Sequence, residues 1–356
     1  MTERVKVLLV GAGQVAEDSH LPAIRALRDR IDLIGVCDPD AERAGRLAGS
    51  EIPQFQDLAA ALSTTEPDLV LVATPPATHA ELVPTCLRAG AWVVCEKPPA
   101  RSLAELDIIA AVERETGNPC SFIFQQRFGA SAQMLRGLVD SGATGPVRAV
   151  TAQTLWHRND DYYQVPWRGD WDTEGGGALS SLGIHLLDLA LWLSGEWTEV
   201  TALAASLDRK IAVDNVSGAI VRLAEGGLMT IATSALSVRQ ESRLRLDYRD
   251  ATVELAHLYT YDNLDWRITA DPSLLARWQD RGPDPVSQHT ALLAAVLDAR
   301  DRGEAPPCSG ADGRAALELV TACYASALTR RVVQRRELTS SNPFYHRLDG
   351  HLEPWT

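Results

Sequence analysis

The sequence has few of the features that mark a metal centre, a disulfide framework or a membrane protein. Its cysteines form no Cys-x-x-Cys pair, and neither they nor the scattered histidines show the spacing of metal ligands. We therefore predict reduced, buried thiols and no bound metal. The longest apolar stretches fall far short of the roughly 20 residues that a membrane-spanning helix needs. No membrane segment is expected.

Basic residues are scarce relative to acidic ones. The chain carries 34 Lys and Arg against 47 Asp and Glu, which gives a formal net charge of −13. Such a balance disfavours binding to nucleic acids and anionic membranes, because both attract proteins through basic surfaces. The first residues run directly into a strand pattern without a charged and apolar leader. We therefore predict a cytoplasmic protein that binds neither nucleic acid nor membrane.

What the chain does have is an ordinary globular composition, with 46% hydrophobic and 23% charged residues in a length of 356. This length is enough for about two domains. In the first third, short apolar runs alternate with amphipathic stretches, which is typical of a parallel α/β sheet with crossover helices. The predicted strands span 5–10, 33–37, 69–73, 92–95 and 121–124. The predicted helices span 21–27, 82–89 and 103–112.

Beyond residue 125 the pattern changes to alternating, strand-like segments with two late helices. The strand-like segments span 147–154, 216–223, 228–234 and 244–255, and the helices span 290–299 and 313–328. This arrangement predicts an α+β domain with a mainly antiparallel sheet. We therefore place a parallel α/β domain at 1–124 and an α+β domain at 125–356.

A glycine-rich fingerprint joins the first predicted strand to the first helix. It reads Gly11-Ala12-Gly13-Gln14-Val15-Ala16. Gly11 permits a tight turn, Gly13 lets the backbone approach a pyrophosphate, and Ala16 lets the helix pack close to the strand. A phosphate would then lie at the helix N-terminus, beside Gln14 and Val15. The strand before it and the helix after it favour a dinucleotide site over a purely structural turn.

Asp38 ends the next predicted strand, where an acidic side chain can accept hydrogen bonds from both adenosine ribose hydroxyls. A carboxylate there would repel the phosphate of NADP, so NAD is favoured, although Arg43 is near enough in sequence to turn toward a phosphate. The alternative is that Asp38-Pro39-Asp40 only caps a helix, which is compatible with cofactor binding.

Glu96-Lys97-Pro98 closes the strand at 92–95 and places charge where parallel sheets bind their ligands. Lys97 can act as a catalytic group beside a bound nicotinamide. The alternative is an ion pair that caps the strand, with Glu96 as one member.

A second group of polar residues lies in the later domain. Three consecutive glycines, 175–177, precede a helical pattern whose leucine stripe leaves Ser181, His185 and Asp188 on a neighbouring face. Glycines at a helix start can clear space for a ligand. The alternative is that His185 is a core histidine with satisfied hydrogen bonds.

The segment 156–172 is rich in aromatic, acidic and arginine side chains. Aromatic faces pack against the C–H side of a sugar ring, while arginine can bind hydroxyls, a diphosphate or a carboxylate. We predict substrate contacts from Tyr163, Trp167 and Arg168, with Arg127 from an earlier segment. Packing at a domain or subunit interface is the alternative.

In their order along the chain, these motifs resemble the glucose-fructose oxidoreductase, inositol dehydrogenase and MocA family. The residues that carry the resemblance are the fingerprint, Ala73-Thr74-Pro75-Pro76 with His79, Glu96-Lys97-Pro98, Arg127-Phe128 and the glycine block up to His185. The resemblance implies a Rossmann doubly wound sheet followed by an α+β domain with an open sheet. It further implies a homo-oligomer, a dimer or tetramer, that moves a hydride between NAD(P) and a carbinol of a sugar, cyclitol or nucleotide sugar.

Residue by residue, the resemblance maps the family lysine to Lys97 and the family histidine to His185. It extends the cofactor set to Thr74, Pro75, His79 and Glu96. The family's aspartate four positions before the histidine is replaced here by Ser181, which puts a Lys-Asp-His relay in doubt. We count Ser181 and Asp188 with the substrate-binding residues.

Oxidation of a carbinol needs a base at the hydroxyl as the hydride leaves. A free lysine has a pKa of about 10.4, so its pKa would have to be lowered far more than that of a histidine for it to act as a base near pH 7. We therefore predict His185 as the principal acid/base and Lys97 as the group that orients the hydroxyl. The two roles could also be exchanged. Two other functions stay open. One is an NAD-using glycosidase or epimerase that acts by transient oxidation, and the other is a non-catalytic nucleotide-sensing regulator.

Overall fold

The computed structural model describes residues 3–282 and 288–352. The described chain divides into two compact units that interleave along the sequence. Unit 1 comprises Met1–Ala100, Glu105–Ile123 and His289–Gly313, and unit 2 comprises Arg101–Ala104, Phe124–Gln288 and Arg314–Thr356. The domain bounds 1–124 and 125–356 remain a prediction, to which the structure adds that the segment His289–Gly313 lies in unit 1 rather than with the later residues.

Unit 1 is built on a parallel sheet of six strands in the described residues, in the order β3-β2-β1-β4-β5-β6. The strands are β1 Val5–Val10, β2 Ile31–Cys37, β3 Gln54–Phe55, β4 Leu69–Val72, β5 Trp92–Cys95 and β6 Cys120–Phe122. They are short apolar runs because helices cover both faces of such a sheet, so that every residue of β4 is buried. The strand order reverses between β1 and β4, which is where doubly wound sheets bind ligands. The predicted Rossmann sheet is confirmed.

The α-helices of the described residues connect these strands and those of unit 2. In chain order they are α1 Leu21–Ala26, α2 Ala41–Ala48, α3 Leu58–Thr65, α4 His79–Arg88, α5 Leu103–Thr116, α6 Ala130–Asp140, α7 Asp160–Tyr163, α8 Ile184–Ser194, α9 Pro272–Gln279, α10 His289–Arg302, α11 Gly310–Thr329 and α12 Pro343–His346. Within the described residues, no helix combines the length and the hydropathy needed to cross a bilayer. The six cysteines are buried free thiols, as predicted.

Unit 2 contains a mainly antiparallel sheet of eight strands in the described residues, in the order β13-β12-β11-β7-β10-β9-β8-β14. The strands are β7 Val147–His157, β8 Trp197–Ala205, β9 Val216–Leu223, β10 Leu228–Ser234, β11 Leu236–Tyr248, β12 Ala251–His257, β13 Trp266–Ala270 and β14 Val333–Gln334. Only the pair β7 and β10 is parallel among them. Side chains alternate between buried and exposed along β9, as expected when one face covers a core. The predicted α+β architecture is confirmed.

One predicted strand was too long. The segment 244–255 is in fact the end of β11, a turn at Arg249–Asp250, and β12, which pairs antiparallel to β11. The buried positions change phase at this turn, from the even-numbered Leu244 and Leu246 to the odd-numbered Val253 and Leu255. This change of phase is the sequence signal for the turn, because a continuous strand keeps the same parity on its buried face.

The glycine block of unit 2 is shaped by a buried carboxylate, Asp214. Its Oδ1 accepts hydrogen bonds from the Gly177 N–H at 3.0 Å and the Tyr324 hydroxyl at 2.5 Å, and its Oδ2 accepts one from the Leu179 N–H at 3.1 Å. A Cβ on Gly177 would collide with the Asp214 carbonyl oxygen. Gly177 therefore makes room for the backbone of Asp214, and not for a ligand as the sequence had suggested. A π-helical segment, Ala178–Gly183, then leads into α8.

Tyr324→Phe tests the hydrogen bonds around Asp214, because it removes the Tyr324 hydroxyl and keeps the ring. Burial raises the pKa of Asp214 to about 6, while the hydrogen bond from Tyr324 lowers it. Because the folded-state pKa is raised, the stability contributed by protonated Asp214 is present below about pH 4 and lost as the pH rises through about 6. Tyr324→Phe removes the hydrogen bond that lowers the pKa of Asp214, so this pKa rises further in the variant. Its loss of unfolding free energy should therefore be larger at pH 7.5, by about 1 to 2 kcal/mol, than at pH 5.

Urea unfolding of wild type and Tyr324→Phe at the two pH values measures this difference. The matched control is Tyr345→Phe, a second buried tyrosine of unit 2 that does not contact Asp214 in the described hydrogen bonds and should show no such pH dependence. Equal losses at both pH values would contradict the assigned network.

Candidate functional site

The turn after β1 has the geometry of a dinucleotide-binding loop. Gly11 has φ of +93°, and a Cβ there would lie 2.6 Å from the Ala73 carbonyl oxygen, so only glycine fits. A Cβ on Gly13 would meet no atom within 4 Å. The loop thus approaches β4 closely on one side and is open at Gly13, where the following helix begins. This open N-terminal position suits a pyrophosphate.

Asp38 lies at the end of β2 and joins that strand to the glycine turn. Its Oδ2 accepts a hydrogen bond from the Ala12 N–H at 2.7 Å, and its Oδ1 accepts one from the Asp40 N–H at 2.9 Å. Each carboxylate oxygen can accept a further hydrogen bond, which leaves capacity for a ribose hydroxyl. The N-cap of α2 is Asp40, whose side chain accepts from the Glu42 and Arg43 N–H groups. The capping role considered for this segment thus belongs to Asp40, while Asp38 stabilises the glycine turn through its hydrogen bond from the Ala12 N–H.

The end of β4 is held by His79, the first residue of α4. The His79 ring lies between two backbone carbonyls, with Nδ1 3.0 Å from the Pro98 oxygen and Nε2 3.0 Å from the Thr74 oxygen. Burial lowers the pKa of His79, against the hydrogen bonds to these carbonyls. The ring lies against the backbone on both sides, although a neutral imidazole has a single N–H and can donate to only one of the two carbonyls. His79 therefore connects the ends of β4 and β5, and the Thr74 hydroxyl beside it accepts a hydrogen bond from Thr78 at 2.7 Å.

Glu96 follows β5 and is held by two histidines that the sequence analysis left without a role. His20 Nε2 lies 3.0 Å and His289 Nε2 lies 2.9 Å from Glu96 Oε1, and all three side chains are buried. Burial raises the pKa of Glu96, but the hydrogen bonds from the histidines outweigh it, so the pKa is well below its usual range. Glu96 is therefore an ionised carboxylate inside unit 1. We call His20, Glu96 and His289 the Glu96 clamp.

The clamp is the one group of histidine and acidic side chains in the described residues whose ligand atoms lie close enough to hold a metal ion, within 4.8 Å of one another. Hydrogen bonding accounts for the two nitrogen to oxygen distances without an ion. Sequence spacing does not reveal this cluster, because His20 and His289 are 76 and 193 residues away from Glu96. Glu96 therefore has hydrogen-bond partners, and they are distant in sequence.

Lys97 stands next to this carboxylate at the end of β5. Its backbone N–H donates a hydrogen bond to Glu96 Oε2 at 3.2 Å, and the Lys97–Pro98 peptide bond is cis. The Lys97 side chain is half-buried. The structure thus brings the predicted cofactor residues of unit 1 together at one edge of the sheet, which is formed by the ends of β1, β2, β4 and β5.

In unit 2, His185 lies near the start of α8 and is 2% exposed. Its ring packs edge-on against Tyr259, with centroids 5.5 Å apart. Nearly every residue of α8 is buried, so the leucine stripe and the polar face are both inside unit 2. The Ser181 hydroxyl donates to the Gly177 carbonyl oxygen at 2.8 Å. A π-helical segment before α8 offsets Ser181 from the ordinary spacing of a helix, and such segments often occur at functional sites.

Arg127 and Asp188, both predicted to contact substrate, bind each other. Arg127 Nε lies 2.7 Å from Asp188 Oδ2 and its terminal nitrogen 2.5 Å from Oδ1, a bidentate pair in which both side chains are buried. The Arg127 guanidinium also lies 5.4 Å from the Trp192 ring centroid. Because Asp188 lies on α8, the pair links Arg127 to the helix that carries His185, and its contribution to substrate binding stays a prediction.

The aromatic segment forms a cluster around Arg168. Its guanidinium lies 3.8 Å from the Tyr162 ring centroid and 4.0 Å from that of Trp167, and it forms an ion pair with buried Glu174 at 3.0 Å. Burial raises the pKa of Glu174, against the charge of Arg168. Tyr163 packs at 5.1 Å from the Arg209 guanidinium. The cluster is therefore anchored to the glycine block by Glu174, which the sequence analysis did not single out.

A glycine turn that is open at Gly13, Asp38 at the end of β2 and Lys97 after β5 are typical of a dinucleotide-binding oxidoreductase. Residues 5–124 match the oxidoreductase family with an NAD-binding Rossmann fold, and residues 132–254 match the GFO/IDH/MocA C-terminal domain. The chain belongs to the Gfo/Idh/MocA family of NAD-binding oxidoreductases, as its motifs had indicated.

Relatives and solved structures agree with this assignment. The chain is 30% identical to the D-glucoside 3-dehydrogenase of Escherichia coli over 73% of its own length and 80% of that protein. It is 29% identical to the D-apiose dehydrogenase of Paraburkholderia graminis, over 96% and 92% of the two chains. The WlbA dehydrogenase of Bordetella pertussis, solved with NADH and UDP-GlcNAcA, superposes with a TM-score of 0.83 at 26% identity, covering 93% of this chain and 99% of that one.

Asp38 is expected to set the preference for NAD. In Asp38→Ser, loss of the carboxylate should weaken NAD⁺ binding about tenfold or more, because a hydrogen bond to a charged group contributes about 1.5 to 3 kcal/mol. NADP⁺ binding should tighten, since the repulsion of its phosphate is removed. Fluorescence titration with both nucleotides measures the two dissociation constants.

The matched control is Asp57→Ser, which changes another aspartate of unit 1 but keeps an N-cap oxygen for α3. It should leave both constants unchanged. An unaltered ratio of NAD⁺ to NADP⁺ affinity in Asp38→Ser would remove this residue from the cofactor site.

Proposed function

We propose that this enzyme transfers a hydride between NAD and a carbinol or ketone of a sugar, cyclitol or nucleotide sugar. The observation that carries the proposal is the position of Lys97, at the end of β5 on the same sheet edge as the dinucleotide loop and Asp38. This is the edge at which doubly wound sheets bind their ligands. The named activities of the relatives, on a glucoside and on apiose, support the sugar class.

The residues present fit NAD. Gly13 leaves open space at the helix N-terminus, and Asp38 offers acceptors where a ribose would lie. When bound, the nicotinamide supplies the acceptor or donor of the hydride. The protein must then hold the substrate carbinol and move the proton of its hydroxyl.

Lys97 and His185 are the proposed acid/base pair. Lys97 follows β5 at the ligand-binding edge of the sheet, and a lysine amine is ordinarily protonated near neutral pH because its unperturbed pKa is about 10.4. Lys97 therefore suits the role of a cation that orients the hydroxyl and stabilises the developing carbonyl oxygen. His185 then serves as the principal base in oxidation and as the acid in reduction, since an imidazole changes charge near neutral pH.

Substrate recognition is proposed for the cluster around Arg168. Trp167 and Tyr163 offer aromatic faces for the C–H side of a sugar ring, and the Arg168 guanidinium is already oriented by Glu174. Ser181 stands on the segment that leads to His185 and offers a hydroxyl. A cytoplasmic location and a homo-oligomeric state remain predictions from the sequence.

A substrate panel separates this function from its alternatives. Purified enzyme is denatured to identify any retained nucleotide, and NADH absorbance is followed with cyclitols, free sugars, glycosides and nucleotide sugars. Net reduction of NAD⁺ by one of these classes supports the proposal. Retained NAD with conversion of a glycoside and no net NADH would indicate transient oxidation, and binding of NAD without any turnover would indicate a sensor.

Replacement of the proposed acid/base pair gives a direct test. Lys97→Ala and His185→Ala should each lower kcat by about 10²- to 10⁴-fold, the usual contribution of a positioned acid or base. The dissociation constant of NAD⁺ should change by less than about threefold, because binding rests on the fingerprint and Asp38. Steady-state kinetics and nucleotide titration measure both quantities.

Lys210→Ala and His346→Ala serve as controls, since they remove an exposed lysine and an exposed histidine of unit 2. Both should turn over at the wild-type rate. Full activity in Lys97→Ala and in His185→Ala would refute the assignment of the pair.

A further inference from the structure

The Glu96 clamp contains two histidines that neither the fingerprint nor the proposed acid/base pair uses. His20 ends the π-helical segment Ala16–His20, and His289 begins α10, so the clamp joins two elements of unit 1 to the end of β5. The two rings also contact each other edge-on, with centroids 4.9 Å apart. His20 is 2%, Glu96 4% and His289 4% exposed. Solvent is therefore excluded from the carboxylate.

The donors and acceptors of the clamp can be assigned. An ionised carboxylate only accepts hydrogen bonds, so the Nε2 atom of each histidine must carry the proton that it shares with Glu96 Oε1. The other oxygen, Oε2, accepts the backbone N–H of Lys97. Glu96 thus links two histidine side chains to the backbone of the next residue. One carboxylate oxygen faces both histidines, and the other faces the Lys97 N–H.

Such an arrangement restricts the conformation at Lys97. Two donors on Oε1 fix the rotation of the Glu96 carboxylate, and the fixed carboxylate places Oε2 where it receives the Lys97 N–H. A buried carboxylate is costly to desolvate, and replacing an entire buried charged network by well-packed apolar residues is often neutral or stabilising. The clamp is therefore better explained by the geometry that it imposes than by the stability it adds.

We propose that His20 and His289 are positioning residues that act through Glu96 on Lys97. This inference rests on the proposed role of Lys97 in hydride transfer. The histidines hold the carboxylate in the one orientation that accepts the Lys97 N–H, and the backbone held in this way directs the Lys97 side chain. A misplacement of a catalytic group by about 1 Å can slow a reaction about 100-fold, so small changes in the clamp should appear in turnover.

Substitutions of the two histidines test the proposal. His289→Ala and His20→Ala should each lower kcat by about 10- to 100-fold with a change of less than about threefold in the NAD⁺ dissociation constant. His289→Gln and His20→Gln should restore kcat to within about threefold of wild type, because the glutamine amide can place a donor close to the position of Nε2. His346→Gln, an exposed histidine of unit 2, is the control and should leave kcat unchanged.

A double-mutant cycle shows whether the clamp acts through Lys97. If it does, His289→Ala should slow Lys97→Ala by no more than about threefold, although it slows wild type far more. If the losses of kcat in the two single variants multiply in the double variant, the inference is wrong. A wild-type kcat in both histidine-to-alanine variants would also overturn it. If an alanine variant fails to fold, Glu96→Gln replaces it in the test. The glutamine amide keeps an oxygen for the histidines but faces the Lys97 N–H with a donor. This variant should lower kcat in the same range.

The same cycle separates the failure of this inference from the failure of the proposed function. Full turnover in Lys97→Ala would refute the function and, with it, the positioning role. Impaired Lys97→Ala beside unimpaired histidine variants would refute the positioning role alone. Elemental analysis of the purified enzyme adds a further check, because a stoichiometric metal that is lost in His289→Ala would make the histidines ligands and overturn the hydrogen-bonded clamp.

Discussion

The cofactor edge of unit 1 depends on a carboxylate that is buried where β5 ends. Glu96 stays ionised because His20 and His289 donate to one of its oxygens while the Lys97 backbone donates to the other. A buried charge tolerates few arrangements of its neighbours, since each donor that is lost leaves desolvation uncompensated. The position of Lys97 is thereby tied to the π-helical segment after the glycine turn and to α10, which returns to this unit late in the chain.

Unit 2 uses buried acids in a similar way. Asp214 holds the glycine block through Gly177, Leu179 and Tyr324, and Asp188 holds Arg127 beside α8. Both carboxylates order the backbone or the helix from which His185 projects. Each unit thus stabilises the surroundings of its proposed catalytic residue with acidic side chains that do not themselves need to react.

Several features could be predicted because their signals are local. The glycine turn, Asp38 at the end of β2 and Lys97 after β5 follow from residues a few positions apart, since a turn needs glycine and a strand needs an apolar run. The hairpin of β11 and β12 was also encoded, in the change of parity between Leu246 and Val253. The predicted strand ran on through the turn because apolar residues alternate on both sides of it, at even positions before and at odd positions after.

Other features were decided only by the tertiary structure. The sequence by itself determined the fold class and the NAD-type fingerprint, because these depend on short-range pattern and on side-chain type. It could not determine that His20 and His289 meet on Glu96, or that Arg127 and Asp188 neutralise each other, because the partners are 76, 193 and 61 residues apart. Only folding brings such residues within hydrogen-bond distance, and burial then makes their pairing obligatory.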